Sequence, residues 1–498
     1  MGKNYKIKVQ IEIVESTEEI QDEPQEVGAG QFELVLDEKQ ALSIDDCEQA
    51  LLRTNYPAVR AALAAHLSAM SKKKATVAGH AGEVQTRTYR VDGEVGRFMF
   101  ETHRVEREDG AVVDTRELFP RLTGQEWYRT VGFKELGIVQ GTLTGSYRRS
   151  TAWLNRLRHQ APGTPTRTLS HNSEQEGLGL LAHLEQQTAD ILAAHEFSDD
   201  HPAPAQQAHY QQQAWVTHPA EQVQAAVLQC APDASYLEEM AHNPVPYEVA
   251  AQSVQVSIDP VGVKHQKETH NQVPKEQPRD MVYQTVAHLQ HGEREYLFNG
   301  REIAAVLRCI LAFLLHNDLL RYNLLFFVDG QRSLSQTILA LFAWFTPLQL
   351  ILDWPHLVKK CREQLSMALK GREIRNQVLK QLVPLLWLGC VDRAIQLLQQ
   401  LDPAQIKNSQ PLEQLMGYFQ RQQPFIPCYA VRKTLGLRNS SNRGEKANDL
   451  LVAHRQKHKG MSWSDSGSVA LAALAALVRN DEQAQWFRAH SLRFAFAS

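Results

Sequence analysis

Apolar and polar residues alternate through residues 5–14 (YKIKVQIEIV), the period of two expected of a half-buried strand, and the alternation returns at 87–91 and 97–105. Asp92-Gly93 and Asp109-Gly110 supply turn signals, and residues 42–70 read as a helix. Residues 1–118 therefore predict a mixed α/β unit. From 125 to 159 the period lengthens to that of a helix. TVGFKELGIVQGTLTGSYRRSTAWLNRLRH gives an apolar helix, a glycine-rich break at 141–145, and a second helix carrying Arg148, Arg149, Arg156 and Arg158. That is the outline of a helix-turn-helix, and equally of a plain helical hairpin with a solvated basic face. It sets residues 119–195 apart as a helical, DNA-binding region. Residues 196–220, rich in Pro, Gln and His, predict a linker, with connecting helices up to 249.

Beyond residue 250 the order of elements becomes readable. VQVSID (254–259) patterns as a strand, VGVKHQKE as its hairpin partner, MVYQTVAHLQ as a third strand, and 302–316 as a helix. NLLFFVD (323–329) is almost wholly apolar, as in a strand buried on both faces. A helix at 334–344, the strand LQLILD (348–353) and a helix at 356–369 follow. Three strands, helix, strand, helix, strand, helix is the order of an RNase H-like core. It spans 250–371 and resumes at 428–498, after a helical insertion at 372–427. The expected fold class is thus α/β: an RNase H-like core with a helical insertion, preceded by a mixed α/β and helical N-terminal half.

At 498 residues the chain is long enough for several domains, and its 43% apolar content can furnish their cores. The net charge of -3 conceals an uneven distribution. Residues 1–50 hold thirteen Asp and Glu against four Lys, whereas 421–460 hold nine Lys and Arg against Glu445 and Asp449. The second stretch would attract a polyanion. Six cysteines without a CxxC pair exclude a zinc ribbon and a disulfide framework, and predict buried thiols in a reducing compartment. Residues 1–8 lack the apolar core of a secretory leader, and the longest apolar run, 303–315, is interrupted by Arg308 and too short to cross a bilayer. A cytoplasmic, nucleoid-associated protein with no membrane partner is expected.

The chemistry rests on carboxylates. Asp259 ends the first core strand, Asp329 ends the buried strand, and Glu445 lies on a late basic helix. Singly, each has a structural reading: Asp259 before Pro260 and Asp329 before Gly330 are turn formers, and Glu445 three residues after Asn442 completes a capping box. Jointly they make a set of hard oxygen donors suited to two Mg²⁺ or Mn²⁺ ions about 3.5 to 4 Å apart, as in phosphodiester chemistry. On an α-helix Asp449 falls one turn beyond Glu445 on the same face, able to assist it, while Ala447, Leu450, Leu451 and His454 form the opposite stripe. Arg443, Lys446, Arg455, Lys457 and Lys459 around the glutamate, with Lys359 and Lys360 on the preceding basic helix, would hold phosphate backbone. In LDWPHLVKKC, Asp353 reads as a helix N-cap ahead of a first-turn proline, and equally as a group orienting His356 toward a scissile strand. Trp354 and Trp463 read as core packing or as platforms for unpaired bases.

VSID, FFVDGQRSL followed by LDWPHLVKKC, and LRNSSNRGEKANDLLVAHRQKHKGMSWSDSGSVAL resemble the corresponding blocks of bacterial insertion-sequence DDE transposases, whose RNase H-like cores are similar to those of Mutator-like elements. The resemblance covers roughly residues 250–490. It implies a catalytic, metal-binding triad of Asp259, Asp329 and Glu445. It also matches Asp353 to His356 with the family's C/DxxH element, here with Asp, and residues 370–426 with the insertion such cores carry. Pro260 directly after the first aspartate and the absence of a cysteine-based zinc finger depart from the family pattern. The implied activity is metal-dependent DNA strand cleavage and strand transfer at terminal inverted repeats, which an N-terminal half recognises, by a homo-oligomer that brings two ends together. A DNA-binding regulator with an idle core, or a non-mobile nuclease of the same fold, are the alternatives.

Overall fold

The computed structural model describes residues 4–15, 25–37, 44–79, 84–119, 127–158, 163–266, 280–457 and 461–497. The chain is mixed α/β and divides into two units, Met1–Ser173 with Gln483–His490, and Glu174–Glu482 with Ser491–Ser498. The division falls inside a helix, and residues 196–249 belong with the second unit rather than standing apart.

In the first unit β1 (Asn4–Glu15) and β2 (Gln25–Asp37) form an antiparallel ribbon. β2 was not expected, because its glycine-rich start hides the alternation. The helix α1 (Ile44–Ala78) buries Ala50, Thr54, Ala58 and Ala62, one small residue every fourth position. That smooth stripe lets Gly30 of β2 approach so closely that a side chain there would strike the Ala58 carbonyl. β3 (Gln85–Gly93), β4 (Gly96–Glu106), β5 (Val112–Asp114) and β6 (Trp127–Arg129) make a second sheet in the order β5-β4-β3-β6. Its core is Tyr89, Val91 and Phe100.

The expected helical pair follows as α2 (Val131–Leu143) and α3 (Tyr147–Leu157). Each is N-capped by a hydroxyl: Thr130 accepts from the Phe133 N–H and Ser146 from the Arg149 N–H. Gly137 lets Leu154 and Leu169 close over it. The long helix α4 (Thr166–Ala194) leads into the second unit.

There, residues 197–211 are ordered, contrary to the linker expectation. A short β7 (Phe197–Ser198) and β8 (His201–Pro202) precede α5 (Pro204–Gln211), and Phe197 and Tyr210 pack on Trp344. α6 (Ala220–Cys230) and α7 (Leu237–Ala241) come next. Trp215 and Val245 cover one face of the main sheet.

That sheet comprises β9 (Ser253–Lys264), β10 (Met281–His291), β11 (Arg294–Gly300), β12 (Asn323–Val328) and β13 (Leu348–Leu352), in the order β11-β10-β9-β12-β13. β9, β10 and β11 are antiparallel neighbours, whereas β12 and β13 run parallel to β9. Residues 261–264, expected as a hairpin partner, instead prolong β9 through Pro260; residues 267 and 268 lie outside the described residues. The partner is β10, and β11 is the third strand. A proline is tolerated at 260 because the ladder to β12 ends at Ser257, which leaves β9 flanked there by β10 alone.

The connections are helical: α8 (Ile303–His316) joins β11 to β12 and α9 (Arg332–Leu341) joins β12 to β13. All six residues of β12 are buried, as its unbroken apolar run requires. After β13 come α10 (Trp354–Ala368) and the helices of the expected insertion, α11 (Arg372–Trp387), α12 (Val391–Gln399) and α13 (Ser409–Gln422). These helices are anchored on α10, where Cys361, a thiol serving as a small apolar group, and Leu365 pack in one core with Leu382, Leu398 and Phe419. α14 (Tyr429–Thr434) leads to α15 (Asn442–Asn448), which runs directly into a π-helix, Asp449–Lys457. The alanine-rich α16 (Asp465–Arg479) is buried from Ser468 to Leu477 and lies under β10 and β11.

None of the six cysteines is in a disulfide; Cys361, Cys390 and Cys428 are buried, and Cys47, Cys230 and Cys309 are only half-buried. Among the described residues no helix is long and apolar enough to cross a membrane.

Candidate active site at the strand ends

Three aspartates stand near one edge of the parallel ladders: Asp329 and Asp353 follow directly on β12 and β13, whereas Asp259, expected to end its strand, lies inside β9 because that strand continues beside β10. The last rung between β9 and β12 pairs Ser257 with Phe327, and Asp259 and Asp329 each stand two residues further on. Side chains two apart share a face. The last rung between β12 and β13 pairs Val328 with Leu352, so Asp353 stands level with Asp329, and its N–H donates to the Val328 carbonyl at 2.9 Å. In open α/β sheets, ligands bind at such carboxyl ends of strands.

The helix carrying Glu445 lies over this face because glycine permits it. Gly444 is buried against Ser257, where an added Cβ would sit 2.9 Å from the Ser257 Cβ. One turn later Asn448 Nδ2 donates to Asp259 Oδ2 at 2.5 Å. Ala447 and Leu451 pack with Val261 and Val263 of β9. Glu445 itself is exposed, while Asp259 and Asp329 are half-buried.

Asp353 is 1% exposed and fully engaged. It caps α10 by accepting from the His356 N–H at 2.9 Å and takes His356 Nδ1 at 2.7 Å on the same oxygen. Its other oxygen accepts from the Ser441 N–H at 2.5 Å and the Ser441 hydroxyl at 3.1 Å. Capping and orienting His356 are thus two tasks of one carboxylate. Asp329 Oδ1 accepts from the Gln331 N–H at 2.8 Å, the turn-forming role its sequence suggested. The turn needs Gly330, whose φ is +86° and whose missing side chain makes room for Tyr418.

Electrostatics tie these groups together. Burial is the main cause that lifts Asp259's carboxyl above its ordinary range; the negative charge of Asp329 adds to the rise, while Asn448, His356 and Lys457 oppose it. His356 is held above its ordinary value first by its hydrogen bond to Asp353, then by the charges of Asp353, Asp329 and Glu445, against desolvation. Burial would raise Asp353, but its bonds from His356 and Ser441 bring it below the usual carboxylate range. The structure therefore brings Asp259, Asp329, Glu445, Asp353 and His356 to one end of the sheet. Among the described residues, however, no three His, Cys, Asp or Glu side chains converge closely enough to hold a metal ion as they stand.

Asp449 is exposed on the π-helix, and the neighbour that reaches Asp259 is Asn448. Asn448 was missed, although its place three residues after Glu445 puts it on the same helical face. The expected stripe changes too: Leu451, Val452, Arg455 and Gln456 are buried, Leu450 is half-buried and His454 is exposed. Arg455 is turned inward, over the Trp463 ring at 5.2 Å and toward Met461. This corrects its expected place among phosphate-facing cations. Arg443, Lys446, Lys457 and Lys359 are exposed, and Lys360 is half-buried, its Nζ 6.0 Å from the Tyr418 ring centre. Lys459 lies outside the described residues. Trp354 packs on Trp387 and Tyr429, and Trp463 donates to the Gln456 carbonyl, so both tryptophans serve packing.

In the first unit, Arg148, Arg149 and Arg156 are exposed on α3, as are Trp153 and Leu157. Arg158 departs from this set. It is 2% exposed, donates to Thr164 Oγ1 at 2.6 Å, and lies 4.4 Å over the Phe133 ring, and burial lowers its pKa to about 10. Its role is in the fold, not on the solvated face. No protein-family model, no curated protein and no solved structure matches the chain.

Proposed function

We propose that the chain is a DDE-type transposase whose RNase H-like core cuts and rejoins DNA at the Asp259, Asp329 and Glu445 end of its five-stranded sheet. One observation carries the reading: Asp259, on β9 just past the last rung of its ladder with β12, and Asp329, just past the end of β12, stand level on neighbouring parallel strands, and a glutamate-bearing helix is seated over the same face through Gly444 and Asn448. The strand order, with three antiparallel strands followed by two parallel ones joined through helices, supports it.

The donor set fits Mg²⁺ or Mn²⁺. It consists of hard oxygens, and Asn448 adds a buried Oδ1 with no hydrogen-bond partner. Asp259, Asp329 and Glu445 would hold the metal, which when bound activates a water or a 3′-hydroxyl and stabilises the leaving oxygen. Asp353 fixes His356 through Nδ1, which leaves Nε2 to hydrogen-bond a phosphate oxygen of the strand being cut. Arg443, Lys446, Lys457 and Lys359 are the exposed cations that would neutralise backbone phosphates. Arg148, Arg149 and Arg156 on α3 would serve the same purpose in recognising the element's ends. Joining two ends calls for at least two copies of the chain.

The test uses the full chain, a labelled DNA fragment carrying an element end, and Mg²⁺. The wild type cleaves, and Asp329→Asn binds the fragment without cleaving it. Undiminished cleavage by Asp329→Asn would remove the site assignment.

A further inference from the structure

We infer that Asn448 is itself a metal-binding residue of the carboxylate site, supplying its side-chain oxygen beside Asp259; this rests on the metal-dependent reading above. Three observations carry it. Asn448 Nδ2 already touches Asp259 Oδ2 at 2.5 Å, so the amide lies within the site. Its Oδ1 is buried and accepts no hydrogen bond. Ser257, two residues before Asp259 on the same strand face and 1% exposed, also has a hydroxyl with no partner. Buried polar groups are nearly always satisfied, and an orphan oxygen is destabilising unless something fills its place. Two orphan oxygens flanking one half-buried carboxylate therefore mark a place where a positive group is needed.

The amide carbonyl is a neutral, hard oxygen of the kind Mg²⁺, Mn²⁺ and Ca²⁺ accept beside carboxylates. A half-turn of the amide about its last bond exchanges Oδ1 and Nδ2 without moving the helix. Asn448 can thus hold Asp259 by donating when no cation is present, and turn its oxygen inward when one is. Gly444 keeps the helix seated on Ser257, so the amide and the carboxylate stay on facing elements in both arrangements.

The experiment is a calorimetric titration of the full chain with Mn²⁺ alone, at low ionic strength, for the wild type, Asn448→Leu, Asn448→Asp and Asp259→Asn. Asn448→Leu should bind Mn²⁺ about ten-fold more weakly or worse, the scale on which loss of a supporting oxygen acts. The isosteric Asn448→Asp cannot donate to Asp259; it should be less stable than wild type without metal yet bind Mn²⁺ at least as tightly. An amide that only orients Asp259 by donating gives the reverse, with Asn448→Asp binding more weakly than wild type. That result overturns the inference, as does wild-type affinity in Asn448→Leu. Should Asn448→Leu fail to fold, the isosteric variant decides alone. A wild type that takes up no Mn²⁺ overturns the metal-dependent reading together with this one, whereas binding lost only in Asp259→Asn overturns this one by itself.

Discussion

Asp353, at the end of β13, and Ser441, at the threshold of the helix bearing Glu445, are joined through one carboxylate oxygen, 2.5 Å from the Ser441 N–H and 3.1 Å from its hydroxyl. The other oxygen caps α10 and holds His356. Asp353→Ala leaves several of these donors unpaired in a buried place, which costs about 1 to 3 kcal/mol for the orphaned groups and about 1 kcal/mol for the lost cap. Denaturant unfolding should show that loss. Cleavage should fall further than stability, since Glu445 and His356 both lose their anchor. A variant as stable and active as wild type would leave Asp353 without the anchoring role.

The same pair gives stability a pH window. Asp353's carboxyl is lowered on folding, so its contribution is present above the unfolded value and is lost as pH falls through the folded value. His356 is raised, so its contribution is full below the unfolded value and disappears as pH rises through the folded one. Stability from the pair is therefore greatest between the carboxylate and imidazole ranges. His356→Gln should flatten the decline on the alkaline side of this window, measured by urea midpoints across pH; an unchanged slope would count against the linkage.

Gly444→Ala tests the seating of the helix. A Cβ 2.9 Å from the Ser257 Cβ must push α15 from the sheet, and overpacking of this kind costs about 1 to 3 kcal/mol. Because Glu445 is the next residue, the shift should reduce cleavage beyond the loss in folded protein. Pairing it with Ser257→Gly should restore part of both.

Glu248, just ahead of β9, and Arg432, on α14, form a bidentate ion pair at 2.6 and 2.7 Å with both side chains fully buried. Arg432 also donates to the Arg438 carbonyl on the way to α15. Glu248→Ala leaves a buried guanidinium without its carboxylate, which should cost about 3 to 5 kcal/mol. Replacing both partners with apolar residues should cost less than either single change, as thermal unfolding of the three variants would reveal.

The arginines of α3 separate by exposure. Arg148→Ala, Arg149→Ala and Arg156→Ala should each weaken DNA binding and reduce the slope of log affinity against log salt by about 1, with little change in stability. Arg158→Ala should do the opposite: a lower melting temperature, and a salt slope like that of wild type. A salt slope that falls with Arg158 alone would reverse the assignment.

Much of the core was readable from pattern. NLLFFV announced a strand buried on both faces, and the Asp-Trp-Pro-His sequence announced a capped helix, because each signal is local. Asp329 was found for the same reason, since it closes a readable strand, whereas Asp259 was expected to end a strand that in fact runs on to Lys264. What escaped depended on partners distant in the chain. Pro260 suggested a break because nothing local says that β9 has lost its neighbour there. Asn448, Ser441 and Ser257 became notable only when residues far from them in the chain came alongside. Arg158 and Arg455 were read as solvated because charge alone does not say which way a helix faces.

The π-helix from Asp449 to Lys457 bears on that inward turn of Arg455. Bonds from i to i+5 fit an additional residue into the turn, so everything downstream is rotated relative to an ordinary helix. Along it Leu451 and Val452, then Arg455 and Gln456, are buried as adjacent pairs, and Arg455 reaches inward to Trp463. The wide turn thus broadens the inward side of the rod from a single stripe to paired positions, while Glu445 and Asn448 at its start serve the acidic pocket. Removing one residue from this segment would narrow that side again and leave one member of each buried pair without its place.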